Sequence, residues 1–510
     1  MRQFLCVVVL GLLSAPISAE RDISFVAGQL PEDGSIVIPF IEANGLSGVA
    51  SAVNARTDGA LEVAVQEAGF VGAMGTNLSL FGIAPYTRID LIGVGSERLT
   101  RTDAENFGGN AAALNNGASG TRVQIVWQGV DRDADATASR VALGFRLGAY
   151  HFDRYLQDKL DPDSLSDVVV VSDDDGAAFD SDLSMLADAI YLARDLSTEP
   201  GNVIYPQSFI DRVRNAFDGV RSVRFKVLDE KDMDKLGMGA HLGVGRGSTR
   251  PPRVLIIEYL AGGSAPSVVL AGKGITFDTG GISLKPKQNM GRMKADMTGA
   301  AVVSATVLAA ARREAPVNVV AIAALAENMP SGSAIRPGDI LTSMSGKTIE
   351  INSTDAEGRL VLSDTVYYAQ REYQPDVLID VATLTGSVYR AVGPDYAGLF
   401  SRHETLATQL LAAAEAAGEP AWHLPLDDVH FERIQPSAAD VINGGIPGAG
   451  ASIGAAFIGS FVDESQVWAH FDIASVDFME EARPTVPEGY SAWGVRMLDE
   501  YLRRHHMPNP

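Results

Sequence analysis

Cysteine is almost missing from this 510-residue chain: Cys6 is the only one. An intrachain disulfide framework and a multi-cysteine metal site are therefore excluded. Basic charge is scarce as well. Forty-one Lys and Arg face 64 Asp and Glu, a formal net charge of −23. Nucleic-acid binding draws its affinity from Lys and Arg that neutralise phosphates. Neither a nucleic acid nor an anionic membrane surface is thus an expected partner. No apolar run reaches the ~20 residues that a membrane-spanning helix needs. The apolar run 4–13 follows Arg2 and precedes Ser14-Ala15-Pro16-Ile17-Ser18-Ala19. That order of regions is the pattern of a signal peptide. It predicts a leader over 1–19, cut after Ala19, and an exported protein, periplasmic or secreted, without a thiol. The alternative reading of the run is a buried N-terminal strand or helix.

What is present is ample apolar material, 46% hydrophobic residues, and 51 glycines for tight turns and close backbone approaches. The length implies more than one domain. Over 20–175 the patterns predict strands at 61–65, 89–94, 123–127 and 168–171, with helices at 102–115 and 136–156. This alternation reads as a smaller α/β domain. The acidic turn Ser172-Asp173-Asp174-Asp175-Gly176 is the candidate boundary. A linker helix over 180–196 follows within 176–200, and Glu199-Pro200-Gly201 ends it. From 201 to 510, short apolar runs at 254–258, 268–271, 317–324 and 377–381 read as strands buried on both faces. Helices at 299–313 and 363–371 lie between them. The expected fold is α/β, with a larger C-terminal domain built on a central, mainly parallel sheet flanked by helices. Ligands in such sheets bind at the C-terminal ends of strands.

Two clusters sit at predicted strand ends. The first runs Gly272-Lys273-Gly274-Ile275-Thr276-Phe277-Asp278-Thr279-Gly280-Gly281-Ile282-Ser283-Leu284-Lys285, with Asp296 shortly after. The second runs Ser353-Thr354-Asp355-Ala356-Glu357-Gly358-Arg359-Leu360 and follows a predicted strand at 348–351. Together they supply four carboxylates: Asp278, Asp296, Asp355 and Glu357. Gathering like charges in one pocket is costly unless cations compensate them. Carboxylate-rich sites suit Zn²⁺, Mn²⁺ or Mg²⁺. Two apart in an extended segment, Asp355 and Glu357 would face one side. Taken singly, each segment reads equally as a solvated turn, and Asp296 as a helix cap. The joint pattern favours a metal site.

Both clusters resemble the signature segments of the leucyl (cytosol) aminopeptidase family. The one departure is Ser353, where the family has Asn. Similarity continues through 144–155, 193–202, 236–248, 382–386 and 468–474. The resemblance implies an aminopeptidase with two adjacent divalent ions, Mn²⁺ or Zn²⁺. One would be held by Lys273, Asp278, Asp296 and Glu357. The other would be held by Asp278, Asp355 and Glu357 with the Asp355 carbonyl. Lys285 and Arg359 would be the non-ligand catalytic groups, Arg359 receiving bicarbonate as a proton shuttle. Met293, Thr383, Leu384 and Gly386 resemble the substrate pocket, which would favour an apolar, leucine-like first residue of a peptide substrate. The family further implies a homohexamer and a macro-domain-like smaller domain. Lys273 would have to be neutral to act as a ligand, far below its ordinary ~10.4.

Rival signals are weaker. Gly450-Ala451-Ser452-Ile453-Gly454 fits a serine-hydrolase elbow, yet the residues before it make a poor strand. Gly346-Lys347-Thr348 lacks the first glycine of a phosphate loop and suits a hairpin turn. His470, among apolar neighbours, reads as a core histidine. A catalytically silent relative, serving as a structural or binding protein, is the alternative from another class.

Overall fold

The computed structural model describes residues 22–42, 46–115, 122–159, 167–436, 438–445 and 447–507. The predicted leader, 1–19, lies outside these residues. The N-terminal region builds a six-stranded sheet from β1 (Ile23–Ala27), β2 (Gly34–Ile41), β3 (Asn77–Phe81), β4 (Tyr86–Gly95), β5 (Val123–Trp127) and β6 (Val168–Ser172). Their order is β1-β6-β5-β2-β4-β3, parallel except for the β3–β4 hairpin. Successive residues of β2 point to opposite faces. Ile36 and Ile38 pack with Val53, Leu61 and Val65, whereas Val37 packs with Phe107, Val141 and Phe145. Helices therefore cover both faces, a three-layer arrangement.

Residues 61–65, expected as a strand, lie in the helix Ala60–Ala68. Only Leu61 and Val65 of this helix are buried, at a four-residue spacing that suits a helix. The helix predicted over 136–156 stops at Gly148.

The larger region contributes β7 (Val223–Leu228), β8 (Arg253–Leu260), β9 (Ser267–Asp278), β10 (Asn318–Asn328), β11 (Ile340–Thr342), β12 (Thr348–Glu350), β13 (Val377–Ala382), β14 (Ala397–Phe400), β15 (Ala421–His423), β16 (Val441–Ile442), β17 (Trp468–Asp472), β18 (Phe478–Met479) and β19 (Gly489–Tyr490). Eight of them form one sheet in the order β15-β14-β17-β13-β9-β10-β8-β7. The central four, β17, β13, β9 and β10, are mutually parallel. Val268 and Leu270 of β9 face the helices Ser184–Thr198, Thr298–Arg312 and Val495–His505. Val269 and Ala271 face Glu357–Tyr373 and Gly450–Gly459. Burial on both faces explains the continuous apolar runs of these strands.

Strand β9 continues past its expected end at 271 to Asp278. Gly272 permits this, because a Cβ there would meet the Gly299 carbonyl oxygen at 2.5 Å. β11 and β12 form the anticipated hairpin, and β16 adds to β12 in parallel.

Candidate metal centre

β9 lies between β13 and β10 and carries Lys273 and Asp278 toward its C-terminal end. A 3-10 turn, Met290–Ala295, then delivers Asp296, whose carbonyl accepts from Ile275 N at 3.2 Å. Asp355 sits in the loop after β12. Glu357 is the first residue of the helix Glu357–Tyr373, which begins earlier than the expected 363. The segment is thus not extended across Glu357, and the two carboxylates converge by another route. The positive end of a helix dipole suits a carboxylate at this position. Carboxylate oxygens of Asp278, Asp355 and Glu357 all lie within 4.8 Å of one another.

Two ammonium groups enter the cluster. Lys273 Nζ lies 2.7 Å from Asp296 Oδ1 and 2.9 Å from Glu357 Oε1, and donates to Thr383 O at 2.9 Å. Lys285 Nζ lies 2.7 Å from Asp278 Oδ2 and 2.6 Å from Asp355 Oδ1. The Lys273 stem runs directly over Gly358, where a Cβ would be 2.4 Å from Lys273 Cε. That contact explains the glycine after Glu357.

Four carboxylates thus face two lysines; Lys273, Asp278, Asp296 and Glu357 are buried, Lys285 is half-buried and Asp355 is exposed. Burial opposes the charge on Lys273, yet Asp296, Glu357 and Asp278 outweigh it and push the lysine upward. Lys285 is pushed upward in the same way, with Asp278 the largest opposing influence. Burial, then repulsion from Glu357, raises Asp278 to about 6 despite both lysines. Asp296 is raised well above the carboxylate range by burial. Glu357 is lowered, because Lys273 and Lys285 overcome its burial. Among the described residues, Asp296 Oδ2 and Glu357 Oε2 are buried without a hydrogen-bond partner. Unpaired buried carboxylate oxygens beside further carboxylates form a donor set that fits hard divalent cations.

The predicted pocket residues border the same site. Met293, Thr383, Leu384 and Gly386 line a cavity of about 940 Å³ together with Lys273, Asp278, Lys285, Asp296, Asp355 and Glu357. Arg359 is not on the cavity wall. It lies against the helix Gly450–Gly459, where a Cβ on Gly454 would sit 3.5 Å from its terminal nitrogen. It donates to Asn443 O at 2.5 Å, its Nε has no partner, and burial lowers its pKa. Among the described residues it makes no ion pair.

Several supporting residues escaped the sequence reading. Asn443 Oδ1 accepts from Asn352 N at 2.8 Å and Ser353 N at 3.2 Å, and its Nδ2 donates to Ser353 O at 2.7 Å. Asn443 therefore holds the Asp355 loop, while Ser353 Oγ accepts from Asp355 N at 3.3 Å. Asn328 Nδ2 donates to Asp278 Oδ1 at 2.7 Å and to Thr354 O at 3.0 Å, tying the two clusters together. Asp472, at the end of β17, accepts from Leu384 N at 3.0 Å and Thr385 Oγ1 at 2.6 Å. It thereby fixes the pocket loop whose Thr383 Oγ1 donates to Asp296 at 2.7 Å. The only local signals were the Asn-Gly-Gly at 443–445 and an Asp closing a strand.

The rival motifs resolve simply. Ser452 lies inside a helix rather than at a strand-to-helix elbow. His470 is fully buried and its Nδ1 lies 2.6 Å from Asp380 Oδ1, a core pair.

Comparison with known proteins agrees with this geometry. Residues 191–499 match the cytosol aminopeptidase family, catalytic domain, and residues 37–159 its N-terminal domain. A probable cytosol aminopeptidase of Caulobacter vibrioides is 41% identical over 475 residues, covering 90% of this chain and 94% of that one. One from Rickettsia bellii is 40% identical over 428 residues, covering 82% and 85%. Among solved structures, the bottromycin maturation enzyme BotP in complex with Mn superposes with TM-score 0.82 at 31% identity, covering 93% and 99%. A tomato leucine aminopeptidase mutant gives TM-score 0.85 at 28% identity, covering 96% and 97%.

The names of the relatives correct the expectation of export: they are cytosol aminopeptidases, which points to the cytosol. The run 4–13 had supported a leader only through local composition, which a buried segment can share. With both domains matched and identity of about 40% sustained over most of the chain, this protein belongs to the cytosol aminopeptidase family.

Proposed function

We propose that this chain is a two-metal aminopeptidase that releases apolar, leucine-like N-terminal residues from peptides. The observation that carries the proposal is the convergence of Asp278, Asp355 and Glu357, with Asp296 joined to them through Lys273 and two buried oxygens left unpaired among the described residues. One cation would be held by Lys273, Asp278, Asp296 and Glu357, and the other by Asp278, Asp355 and Glu357 with the Asp355 carbonyl. Mn²⁺ or Zn²⁺ fits these donors, and the Mn complex of BotP favours manganese. Bound divalent cations supply Lewis acidity for the scissile carbonyl, an activated water, and a ligand position for the free α-amino group.

The chain's own groups do the rest. Lys285 keeps its charge, because Asp278 and the other carboxylates outweigh its burial, and it stabilises the developing oxyanion. Lys273, held charged by Asp296, Glu357 and Asp278, would have to lose its proton to hold a cation. Arg359 presents a planar fork that no carboxylate occupies, which suits a small bidentate anion such as bicarbonate acting as proton shuttle. Met293, Thr383, Leu384 and Gly386 border the cavity that receives the first side chain. The homohexamer implied by the family is part of this proposal.

Hydrolysis of leucine p-nitroanilide, with Mn²⁺ or Zn²⁺ and with a chelator, is the test. Metal-dependent release that Asp278→Asn abolishes is the expected result. A folded, metal-loaded protein that releases nothing would instead be the silent relative.

A further inference from the structure

The cavity beside the metal cluster has an apolar wall, including Met293, Leu384 and Phe478, and a charged outer part. Most of that charge is already paired. Arg292 NH1 lies 2.7 Å from Glu480 Oε1, and Arg483 NH2 lies 2.7 Å from Asp395 Oδ1. Asp477 also lines the cavity, yet it makes no ion pair among the described residues. Its carboxylate is supported only by backbone N–H groups, chiefly its own and that of Phe478. Its main chain is fixed on both sides: Asp477 N donates to Ile473 O at 3.0 Å, and Ser491 N donates to Asp477 O at 2.9 Å. The strand that follows, β18, is clamped to β19 by the Phe478–Tyr490 pairing. The residue is thus half-buried, held on a rigid turn, and borders the substrate space with no ion-pair partner among the described residues.

We propose that Asp477 makes this cavity a reader of N-terminal side chains that end in a cation, lysine and arginine, in addition to apolar ones. The inference rests on the aminopeptidase reading above and names a further substrate class for it. The apolar wall accepts leucine and the methylene stem of lysine alike. A cationic tip entering an apolar pocket without a partner carries a large desolvation cost. Asp477 offsets that cost with a charge-assisted hydrogen bond. Burial pushes the Asp477 carboxyl up to about 7, and Arg292, whose own ion pair is made to Glu480, favours its charged form, as an incoming cation would.

The test compares p-nitroanilides of lysine, norleucine and leucine with the metal-loaded enzyme. Norleucine has the lysine stem without the ammonium. The wild type is expected to hydrolyse lysine at least as efficiently as norleucine, by kcat/KM. Asp477→Asn is expected to lower the lysine-to-norleucine ratio about tenfold, chiefly through KM. The ratio cancels the concentration of active enzyme. A ratio that Asp477→Asn leaves unchanged overturns the inference while leaving the aminopeptidase reading intact. Should the variant fail to fold, the wild type decides: lysine more than about tenfold worse than norleucine overturns it. Release from none of the three substrates removes the aminopeptidase reading, and this inference with it.

Discussion

Replacing Gly358 with alanine should disable the site through a single methyl group. The new Cβ would lie 2.4 Å from Lys273 Cε, 2.8 Å from Cδ and 2.9 Å from Nζ. Ordinary van der Waals contact begins near 3.4 Å, so the Lys273 stem must retreat by roughly 1 Å. The stem is buried, and its ammonium is held at 2.7 Å by Asp296 and at 2.9 Å by Glu357 and Thr383 O. Retreat stretches all three contacts at once. Overpacking of this kind costs about 1–3 kcal/mol of stability. Misplacement of an active-site group by about 1 Å can lower activity about a hundredfold. We therefore expect Gly358→Ala to fold, melt a few degrees lower, bind Mn²⁺ more weakly and lose about two orders of magnitude in kcat/KM. Calorimetric Mn²⁺ titration and leucine p-nitroanilide kinetics measure these effects. Gly291→Ala is the control, since a Cβ there meets nothing within 4 Å. Wild-type metal affinity and rate in Gly358→Ala would show that Lys273 does not contribute to the centre as argued.

Other outcomes follow from the same geometry. Asn443→Ala removes the three hydrogen bonds that hold Asn352 and Ser353, and should cost about 1–3 kcal/mol in thermal or urea unfolding, together with metal affinity. Unchanged Mn²⁺ binding would mean that the Asp355 loop is fixed by other groups. Arg359→Ala should lower kcat/KM about a hundredfold. Arg359→Lys should not restore it, because a point charge lacks the planar fork; added bicarbonate should stimulate the wild type alone. Asp364 accepts from His241 N at 2.9 Å and Met344 N at 2.7 Å, and burial pushes its carboxyl up to about 7. Its folded pKa exceeds its unfolded value of ~3.9, so its stabilising contribution is full below that value and is lost as pH rises through about 7. Asp364→Asn loses one acceptor. It should therefore be clearly less stable than wild type at pH 5, with the gap narrowing by pH 8. A gap that widens with pH would contradict the assigned shift.

Much of the larger sheet was legible because its strands are buried on both faces, which writes itself as unbroken apolar runs. The misreadings have physical causes. Residues 61–65 mix two buried residues with small and polar ones, a pattern ambiguous over five positions, and only the four-residue spacing of Leu61 and Val65 marks the helix. β9 looked shorter than it is because Gly272, Lys273 and Gly274 interrupt the apolar run. Glycine at 272 is required there by the close passage of Gly299, a fact of packing rather than of pattern. Of the candidate site residues, the carboxylates and lysines were visible because they cluster within two short segments. Asn328, Asn443 and Asp472 were not, since each acts through hydrogen bonds across long sequence separations and leaves no spacing to read.

Those unread residues brace a centre that the two motifs also tie together directly. Lys273 and Asp278 ride on the large sheet, but Asp355 and Glu357 follow β12 of the small one. The two motifs meet directly, since Ser283 N donates to Thr354 Oγ1 at 2.8 Å, Thr354 N to Ser283 Oγ at 3.1 Å and Thr354 Oγ1 to Gly280 O at 2.6 Å. Asn443 braces the Asp355 loop within the small sheet. It follows β16, which pairs with β12, and its side chain pins 352–353 while its carbonyl receives Arg359. Asn328 adds a further tie between the two sheets, since it ends β10 and bonds both Asp278 and the Thr354 carbonyl. Asp472 adds the pocket loop, from the end of β17 beside β13. Uncharged amides suit the first two tasks. Each can donate and accept at once without adding to a cluster already crowded with four carboxylates. The charged groups define what the site can bind, and the hydroxyls of Ser283 and Thr354 with the amides of Asn328 and Asn443 hold those groups together.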